Sequence, residues 1–145
     1  MIPYFAIPIF VGVTLQLIKI LVDFWNDRKV SVESLWRAGG LPSVHSGISS
    51  SITTLMLFEF GYDSAEFAIA FTFAFLFWYD SMNIRYEAGK HAKYLNKINT
   101  QLKNVLEFSD KYTAFKERLG HTFWEVIGGI IVGFLLTVTI YFVLN

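Results

Sequence analysis

Four apolar segments separated by polar stretches constrain the fold of this chain more than any other feature of its sequence. They run from Ile2 to about Trp25, from Ser46 to Phe60, from Ser64 to about Met82, and from Phe123 to Leu144. A helix of roughly 20 apolar residues crosses the hydrocarbon core of a bilayer. The sequence therefore predicts an all-α fold, a polytopic membrane bundle with about four transmembrane helices, built as a single domain over residues 1–145.

The second segment differs from the other three because it is short and rich in serine and threonine. Three arrangements would accommodate such a segment: a tilted span, a re-entrant segment, or a helix that the rest of the protein shields from lipid. The first segment lacks the basic flank and the small-residue cleavage site of a secretory signal, so we expect it to be a true span.

Composition narrows the chemistry that the chain can perform. The sequence is 54% hydrophobic and its formal net charge is zero, so bulk charge gives no reason to expect a nucleic acid as a partner. The expected partner is the phospholipid bilayer itself. There is no cysteine, which excludes disulfides, thiolate nucleophiles and cysteine-bound metals.

Basic residues are confined almost entirely to two polar stretches. Of the twelve lysines and arginines, only Lys19 lies inside a segment; the rest lie between segments one and two or between segments three and four. By the positive-inside rule, both stretches face the cytoplasm and both termini lie outside. We therefore expect a multi-pass protein of the cell membrane.

Residues 86–108, within the second basic stretch, have apolar side chains at helical spacing with lysines between them. The apolar positions are Ala88, Ala92, Leu95, Ile98, Leu102 and Val105. This pattern predicts an amphipathic cytoplasmic helix, which either lies on the anionic inner leaflet or packs as a solvated helix on its neighbours.

Ionisable residues from three different segments and two loops converge at the predicted cytoplasmic end. They are Lys19, Asp80 and Glu125 from the segments, with His45 and His121 from the loops. Charged side chains at membrane depth are costly, and they usually face a bundle interior or a wet cavity. Snorkelling or simple ion pairing explains any one of these residues, whereas the five together favour a functional site.

The spacing of His121 and Glu125 indicates nucleophilic chemistry. Residues four apart share one face of a helix, and a carboxylate that accepts the Nδ1 proton makes Nε2 a better nucleophile or base. The same pair could bind a metal with His91 and Asp80 as additional ligands, but this is the weaker interpretation. We therefore expect no metal and no other cofactor.

The stretch GGLPSVHSG at residues 39–47 supplies a second element of the site. Its Pro-Ser-Val-His portion places backbone N–H groups at the start of a helix, which is a favourable site for an anion. The predicted cations around it are Lys19, Arg28, Arg85 and Lys90. An anion cradle, several cations and two histidines describe phosphoryl transfer, in which one histidine attacks phosphorus and the other protonates the leaving oxygen.

Three stretches together resemble the divergent branch of the type-2 phosphatidic acid phosphatases, a branch related to acid phosphatases and vanadium haloperoxidases. They are GGLPSVHSG, YDSMNIRYEAGKHAKYLN and ERLGHTFWEVIGG. The resemblance covers nearly the whole chain. Four residues within these stretches are expected to support the site: Gly39, Gly40, Asp80 and Asn96.

The resemblance also implies a role for the main site residues. The sequence at 42–45 is similar to the superfamily motif Pro-Ser-Gly-His, with valine in place of glycine, so Ser43 would bind phosphate and His45 would be the general acid. The pair His121 and Glu125 is similar to the motif His-x-x-x-Asp. It implies that His121 is the nucleophile and that Glu125 is its orienting carboxylate.

The cations are assigned in the same way. Lys19 with Arg28 would stand for the Lys…Arg motif, and Arg85 for the phosphate-binding arginine. The expected function is metal-independent hydrolysis of a lipid phosphate monoester, either phosphatidylglycerol phosphate or phosphatidic acid, or of an isoprenoid (pyro)phosphate, through a phosphohistidine. The alternative is a non-catalytic membrane protein that binds or transports a lipid phosphate.

Gly129 and Gly133 form a Gly-x-x-x-Gly pattern in the fourth segment. Small residues at this spacing let two helices approach closely. The pattern therefore predicts tight packing, either within the bundle or across a homodimer.

Overall fold

Five α-helices make up the fold, as seen in a computed structural model that describes residues 3–27, 40–102 and 113–144. They are α1 (Ala6–Asp27), α2 (Val44–Phe60), α3 (Ala65–Met82), α4 (Ile84–Leu102) and α5 (Phe123–Leu144). The described residues contain no strand. The predicted all-α membrane bundle is therefore confirmed.

Three of the helices, α1, α3 and α5, are long and apolar enough to cross a membrane. The fourth predicted span is α2, which has only 17 residues and is more polar. At about 1.5 Å per residue its length is roughly 26 Å, slightly less than the ~30 Å hydrocarbon core of a bilayer. By length and composition, the described residues thus contain three candidate spans, with α2 packed among them.

Helix α2 is the polar centre of the bundle. Its buried residues are Ser46, Gly47, Ser49, Ser50, Ser51, Thr53, Thr54 and Leu55. The hydroxyl of Thr54 donates to the Ser50 carbonyl at 2.8 Å, and Ser50 Oγ donates to the Ile130 carbonyl of α5 at 2.9 Å. Because unpaired polar groups are costly in lipid, these side chains are buried within the protein. Of the three arrangements considered for this segment, the structure shows the shielded one.

Helices α2 and α5 approach each other closely at glycine residues. A Cβ on Gly129 would overlap the carbonyl of Ser43, and a Cβ on Gly133 would overlap the backbone of Gly47. The Gly-x-x-x-Gly pattern therefore serves packing within one chain, where two backbones touch. Of the two alternatives for this pattern, the structure shows packing within the bundle, and the homodimer stays a prediction.

The outward faces of the spans are apolar. Exposed large side chains on them include Phe10, Leu17, Phe73, Phe77, Ile131 and Leu135. An apolar surface of this extent is unstable in water but matches the hydrocarbon of a bilayer. Inside the bundle, a small apolar cluster of Ile7, Val11, Leu15 and Leu55 joins α1 to α2.

Helix α4 follows α3 after a single residue and is the predicted amphipathic helix. It ends at Leu102, while the last predicted positions, 103–108, lie outside the described residues. Its Gly89 and Ala92 are buried, whereas Leu95 and Ile98 are each 50% exposed. The helix therefore packs against the protein near its start and leaves an apolar strip uncovered further along. Contact of that strip with the membrane surface stays a prediction.

Candidate functional site

The starts of α2 and α5 meet the end of α3 at one end of the bundle, called the site end below. Two backbone hydrogen bonds hold them together. The N–H of Ser43 donates to the Glu125 carbonyl at 3.0 Å, and the N–H of His121 donates to the Ser81 carbonyl at 3.1 Å. Three helices that are distant in sequence are thereby fixed around one point.

His121 faces Glu125 as the spacing predicts. Its Nδ1 lies 3.2 Å from Glu125 Oε2, with the histidine just before α5 and the glutamate in the first turn of that helix. The histidine is only 7% exposed. Because Nδ1 is paired with the carboxylate, Nε2 is the ring nitrogen that remains to react with a substrate.

Glu125 is itself held by several donors. Its Oε2 accepts the N–H of Thr122 at 2.9 Å, and Thr122 Oγ1 accepts the N–H of Glu125 at 3.4 Å, which together form a capping box at the start of α5. Its Oε1 accepts the N–H of Gly40 at 3.2 Å and lies 3.7 Å from Arg118 Nη2. The carboxylate that orients the histidine is therefore fixed from two loops.

Two of these partners, Thr122 and Arg118, are not among the site residues predicted from the sequence. The capping role of Thr122 was readable, because threonine followed three residues later by glutamate before an apolar run is a known helix start. No such local sequence pattern predicts the contact of Arg118 with Glu125. Its pairing with Glu125 arises only when the loop folds back over the start of α5.

The pKa of His121 lies below its ordinary value of about 6.5. Burial is the largest cause. The hydrogen bond and negative charge of Glu125 oppose it, while the positive charge of Lys19 and of His45 lowers the pKa further. The imidazole is therefore neutral at neutral pH, which is the form that a nucleophile requires.

Ser43 caps the start of α2. Its Oγ accepts the Ser46 N–H at 3.4 Å and the Ser46 hydroxyl at 2.9 Å, and the residue is completely buried. Both bonds use Ser43 as the acceptor. The side chain of Val44 packs against the apolar cluster, and His45 is exposed at the surface of the chain.

Lys19 reaches the site from α1 although it lies within a span. It is only 4% exposed, and its Cε lies beside Gly40, where a Cβ would come within 3.1 Å. Gly40 has φ +104°, a conformation that favours glycine, so the loop can pass close to the lysine. Burial, and after it the charges of Arg85 and Lys19, lower the pKa of His45, and the charge of Lys19 also lowers that of His121. Two of the predicted cations, Lys19 and Arg85, thus act on the histidines.

Asp80 holds Arg85 at the edge of the site. Arg85 Nε donates to Asp80 Oδ2 at 2.6 Å, and both side chains are partly exposed. A solvent-accessible ion pair contributes little net free energy. An incoming phosphate can therefore compete with Asp80 for the guanidinium.

Lys90 lies apart from the two histidines. Its Nζ donates to Glu87 Oε1 at 2.7 Å and sits 4.6 Å from the centre of the Tyr86 ring. It lines a small cavity of about 170 Å³ that also borders Arg118 and Glu125. The structure therefore places Lys90 on the α4 side of Glu125, and its predicted contact with the phosphate would require the pair with Glu87 to break.

Asn96 acts on the loop before His121. Its side-chain amide exchanges two hydrogen bonds with the backbone of Phe115, both at 2.9 Å, and also donates to Glu117 Oε1 at 2.9 Å. The same loop rests on Gly89, where a Cβ would overlap the Glu117 carbonyl. The predicted supporting role of Asn96 is thus one of fastening the loop to α4.

Two predicted residues, Arg28 and Gly39, lie outside the described residues. In the described parts of the chain, no three histidine, aspartate or glutamate side chains are grouped so that they could hold a metal ion. The alternative in which His91 and Asp80 complete a metal site therefore gains no support from the described geometry.

Comparison with known proteins agrees with this arrangement. The sequence matches the Divergent PAP2 family over residues 3–136. It is 32% identical over 134 residues to a protein of Bacillus subtilis (strain 168) described as uncharacterized membrane protein YuiD, and the alignment covers 86% of this chain and 85% of that protein. No solved structure matches the chain. The family match includes every segment that meets at the site end. The resemblance inferred from the three sequence stretches is therefore confirmed, and the chain belongs to the Divergent PAP2 family.

Proposed function

We propose that the protein is a metal-independent lipid phosphate phosphatase that acts through a phosphohistidine. The observation that carries this proposal is the buried His121, which points Nδ1 at Glu125 and lies within the electrostatic reach of Lys19 and His45. Membership of the Divergent PAP2 family supports a phosphatase-related membrane protein. The substrate is a lipid phosphate monoester, either phosphatidylglycerol phosphate or phosphatidic acid, or an isoprenoid (pyro)phosphate.

In the first step, the neutral Nε2 of His121 attacks phosphorus while the bond to the lipid oxygen breaks. His45 donates a proton to the leaving alkoxide, and Glu125 stabilises the imidazolium that forms. Lys19 and Arg85 balance the charge on the phosphoryl oxygens. In the second step, His45 takes a proton from water, the water oxygen bonds to phosphorus, and the nitrogen–phosphorus bond breaks to release phosphate.

The proposed orientation places this chemistry at the cytoplasmic face. The basic stretches connect α1 to α2 and α3 to α5, and the ends of α2, α3 and α5 that they connect lie at the site end. The positive-inside rule assigns both stretches to the cytoplasm. A cysteine at Lys97, on α4, should react with an impermeant thiol reagent only after the inner face is opened. A cysteine at Asp63, at the opposite end of the bundle, serves as the control that should react from outside. Reaction of the Lys97 variant in intact cells would overturn the orientation.

The decisive experiment measures phosphate release from lipid phosphates by the purified protein in EDTA, together with trapping of a phosphorylated histidine. His121→Ala should abolish both signals. His91→Ala is the matched control, because His91 is an exposed residue of α4, and it should retain both.

His45→Ala separates the two histidine roles. Loss of a general acid typically costs about 10²–10⁴-fold in rate. A nitrophenyl phosphate, whose leaving group needs no proton, should restore turnover to His45→Ala but not to His121→Ala. The opposite pattern would reverse the assigned roles.

Two other results would replace the proposal. Saturable binding of a lipid phosphate without phosphate release would favour the non-catalytic binder or transporter. Activity that disappears in EDTA and returns with a divalent metal would favour a metal-dependent reaction at the same residues.

A further inference from the structure

A groove between α2 and α3 opens sideways from the bundle toward the surrounding lipid. Its volume is about 430 Å³. The residues that define it are Ser49, Ile52 and Met56 of α2, with Ala70, Phe73 and Phe77 of α3. Ile52, Phe73 and Phe77 are 40%, 58% and 55% exposed, so the groove is open along its length to a neighbouring molecule in the membrane.

At the end of the groove nearest the site, Ser49 is hydrogen-bonded to Trp78. Trp78 Nε1 donates to Ser49 Oγ at 2.8 Å, and Ser49 Oγ donates to the Ser46 carbonyl at 3.1 Å. On the α3 side, Ser81 Oγ donates to the Trp78 carbonyl at 2.9 Å, and the Ser81 carbonyl accepts the N–H of His121. This end of the groove is therefore joined, through direct hydrogen bonds, to the segments that form the site.

We propose that this groove holds one hydrocarbon chain of the phosphorylated lipid whose headgroup binds at His121. This inference rests on the proposed function and adds the route by which the substrate arrives. Ser49 lies about one and a half helical turns, roughly 8 Å, from the start of α2 where the headgroup would bind. A lipid in the bilayer can therefore enter through the side of the bundle and present its phosphate without leaving the membrane.

The length of the groove fits a hydrocarbon chain. Along α3 it extends from Phe77 to Glu66, which at about 1.5 Å per residue is roughly 16 Å. Half of a ~30 Å hydrocarbon core, the depth of one leaflet, is about 15 Å. The groove is thus about as long as the space that one lipid chain occupies in a leaflet.

The groove is expected to position the substrate headgroup and to add little to the affinity for the lipid. Lipid chains are as apolar as the groove, so moving a chain from the bilayer into it yields little hydrophobic free energy. A chain fixed between two helices does restrict where its headgroup can lie, however, and small displacements of a reacting group are costly in rate. We therefore expect the groove to act mainly on the rate of the reaction with long-chain substrates.

The first test is photo-crosslinking of the full-length protein in phosphatidylcholine vesicles, with a phosphatidic acid that carries a diazirine in one acyl chain. Labelled residues should lie on the groove walls, around Ile52 of α2 and Phe73 of α3. Unlabelled phosphatidic acid should compete, whereas diacylglycerol with the same chains should not. Equal competition by diacylglycerol would show that the groove binds any bilayer lipid. Labelling confined to other faces would show that the groove binds no lipid chain. Either result overturns the proposal.

The second test fills the groove. Ala70→Phe places a ring in the groove, and Ala68→Phe is the matched control because Ala68 is exposed on α3 away from the groove. Ala70→Phe should lower kcat/KM for a long-chain lipid phosphate by roughly 10- to 100-fold and leave turnover of nitrophenyl phosphate unchanged. Ala68→Phe should change neither. If Ala70→Phe does not fold, Ile52→Phe fills the groove from the other wall and should give the same result.

The two tests distinguish failure of the groove from failure of the enzyme. Competed labelling of the groove without any phosphate release would refute the proposed reaction and keep the lipid site. Phosphate release that is equally fast in the wild type and in the groove-filling variants would keep the reaction and refute the groove.

Discussion

The most direct perturbation of the site is Glu125→Gln, which keeps the shape of the side chain and removes its charge. The carboxylate accepts from Gly40 on one oxygen and from Thr122 and His121 on the other, and it is 13% exposed. An amide can accept on only one side. The amide nitrogen is expected to face Gly40, because this orientation keeps the two contacts to Thr122 and His121.

Two losses follow from this geometry. The Gly40 N–H loses its acceptor, which typically costs about 1–3 kcal/mol in the free energy of unfolding. The developing imidazolium loses its counter-charge, and by analogy with carboxylates that orient catalytic histidines the rate should fall by roughly two to four orders of magnitude. Stability is measured by unfolding in detergent, and the rate by phosphate release with trapping of the phosphorylated histidine.

Glu117→Gln is the matched control for this experiment. Glu117 lies in the same loop, but its Oε1 accepts from Asn96 and it makes no contact with His121 among the described residues. Its replacement should change the rate by no more than a few-fold. Wild-type turnover by a folded Glu125→Gln protein would refute the role of Glu125 as the carboxylate that supports His121. An equal loss of activity in both variants would refute it as well.

Five further predictions concern protonation, packing and ligand chemistry. Turnover of nitrophenyl phosphate, whose leaving group needs no proton from His45, should fall as the pH drops through the lowered pKa of His121, because protonation removes the attacking lone pair; an activity that instead rises toward acid would exclude a neutral nucleophile. Stability should also fall below about pH 6.5, since the unfolded chain then binds more protons than the folded one. Gly129→Ala should destabilise the protein by about 1–3 kcal/mol in detergent unfolding, because its Cβ meets backbone, whereas Gly128→Ala meets only the end of the Leu41 side chain and should cost less. Thr137→Val removes the 2.6 Å bond to Ser51 and should cost about 0.6 kcal/mol, the average for such bonds in membranes. Vanadate should inhibit in EDTA in competition with substrate, and non-competitive behaviour would place it elsewhere.

Local spacing explains why part of the site could be predicted from sequence. The approach of His121 to Glu125 requires only that the two residues flank one helical turn, and helix geometry fixes that distance wherever the helix packs. The apolar segments were predictable for a similar reason, because the hydrocarbon core imposes their length and composition. These features depend on residues near one another in the chain.

Features that depend on distant segments were not predictable from the sequence. The shielding of α2 depends on a backbone contact between Gly129 and Ser43, and no periodicity within α2 indicates it. The pairing of Lys90 was also not considered from the sequence. Its charge suggested a phosphate ligand, and the structure pairs it with Glu87, one turn away on the same helix, so contact of Lys90 with phosphate stays a prediction.

The packing of α2 against α5 adds positive charge at the site end. The starts of α2 and α5 are joined by the bond from Ser43 to Glu125, so two helix N-termini lie side by side at the site end. Each N-terminus carries the equivalent of about half a positive charge. Together with Arg118, which lies 3.7 Å from Glu125 Oε1, they more than offset the single negative charge of Glu125. Arg85 is paired with Asp80, so the positive charge that faces a phosphate comes from Lys19 and from these helix starts. The glycines that allow α2 and α5 to touch thus determine the electrostatics of the site, and widening that contact should weaken phosphate binding even where no site residue is changed.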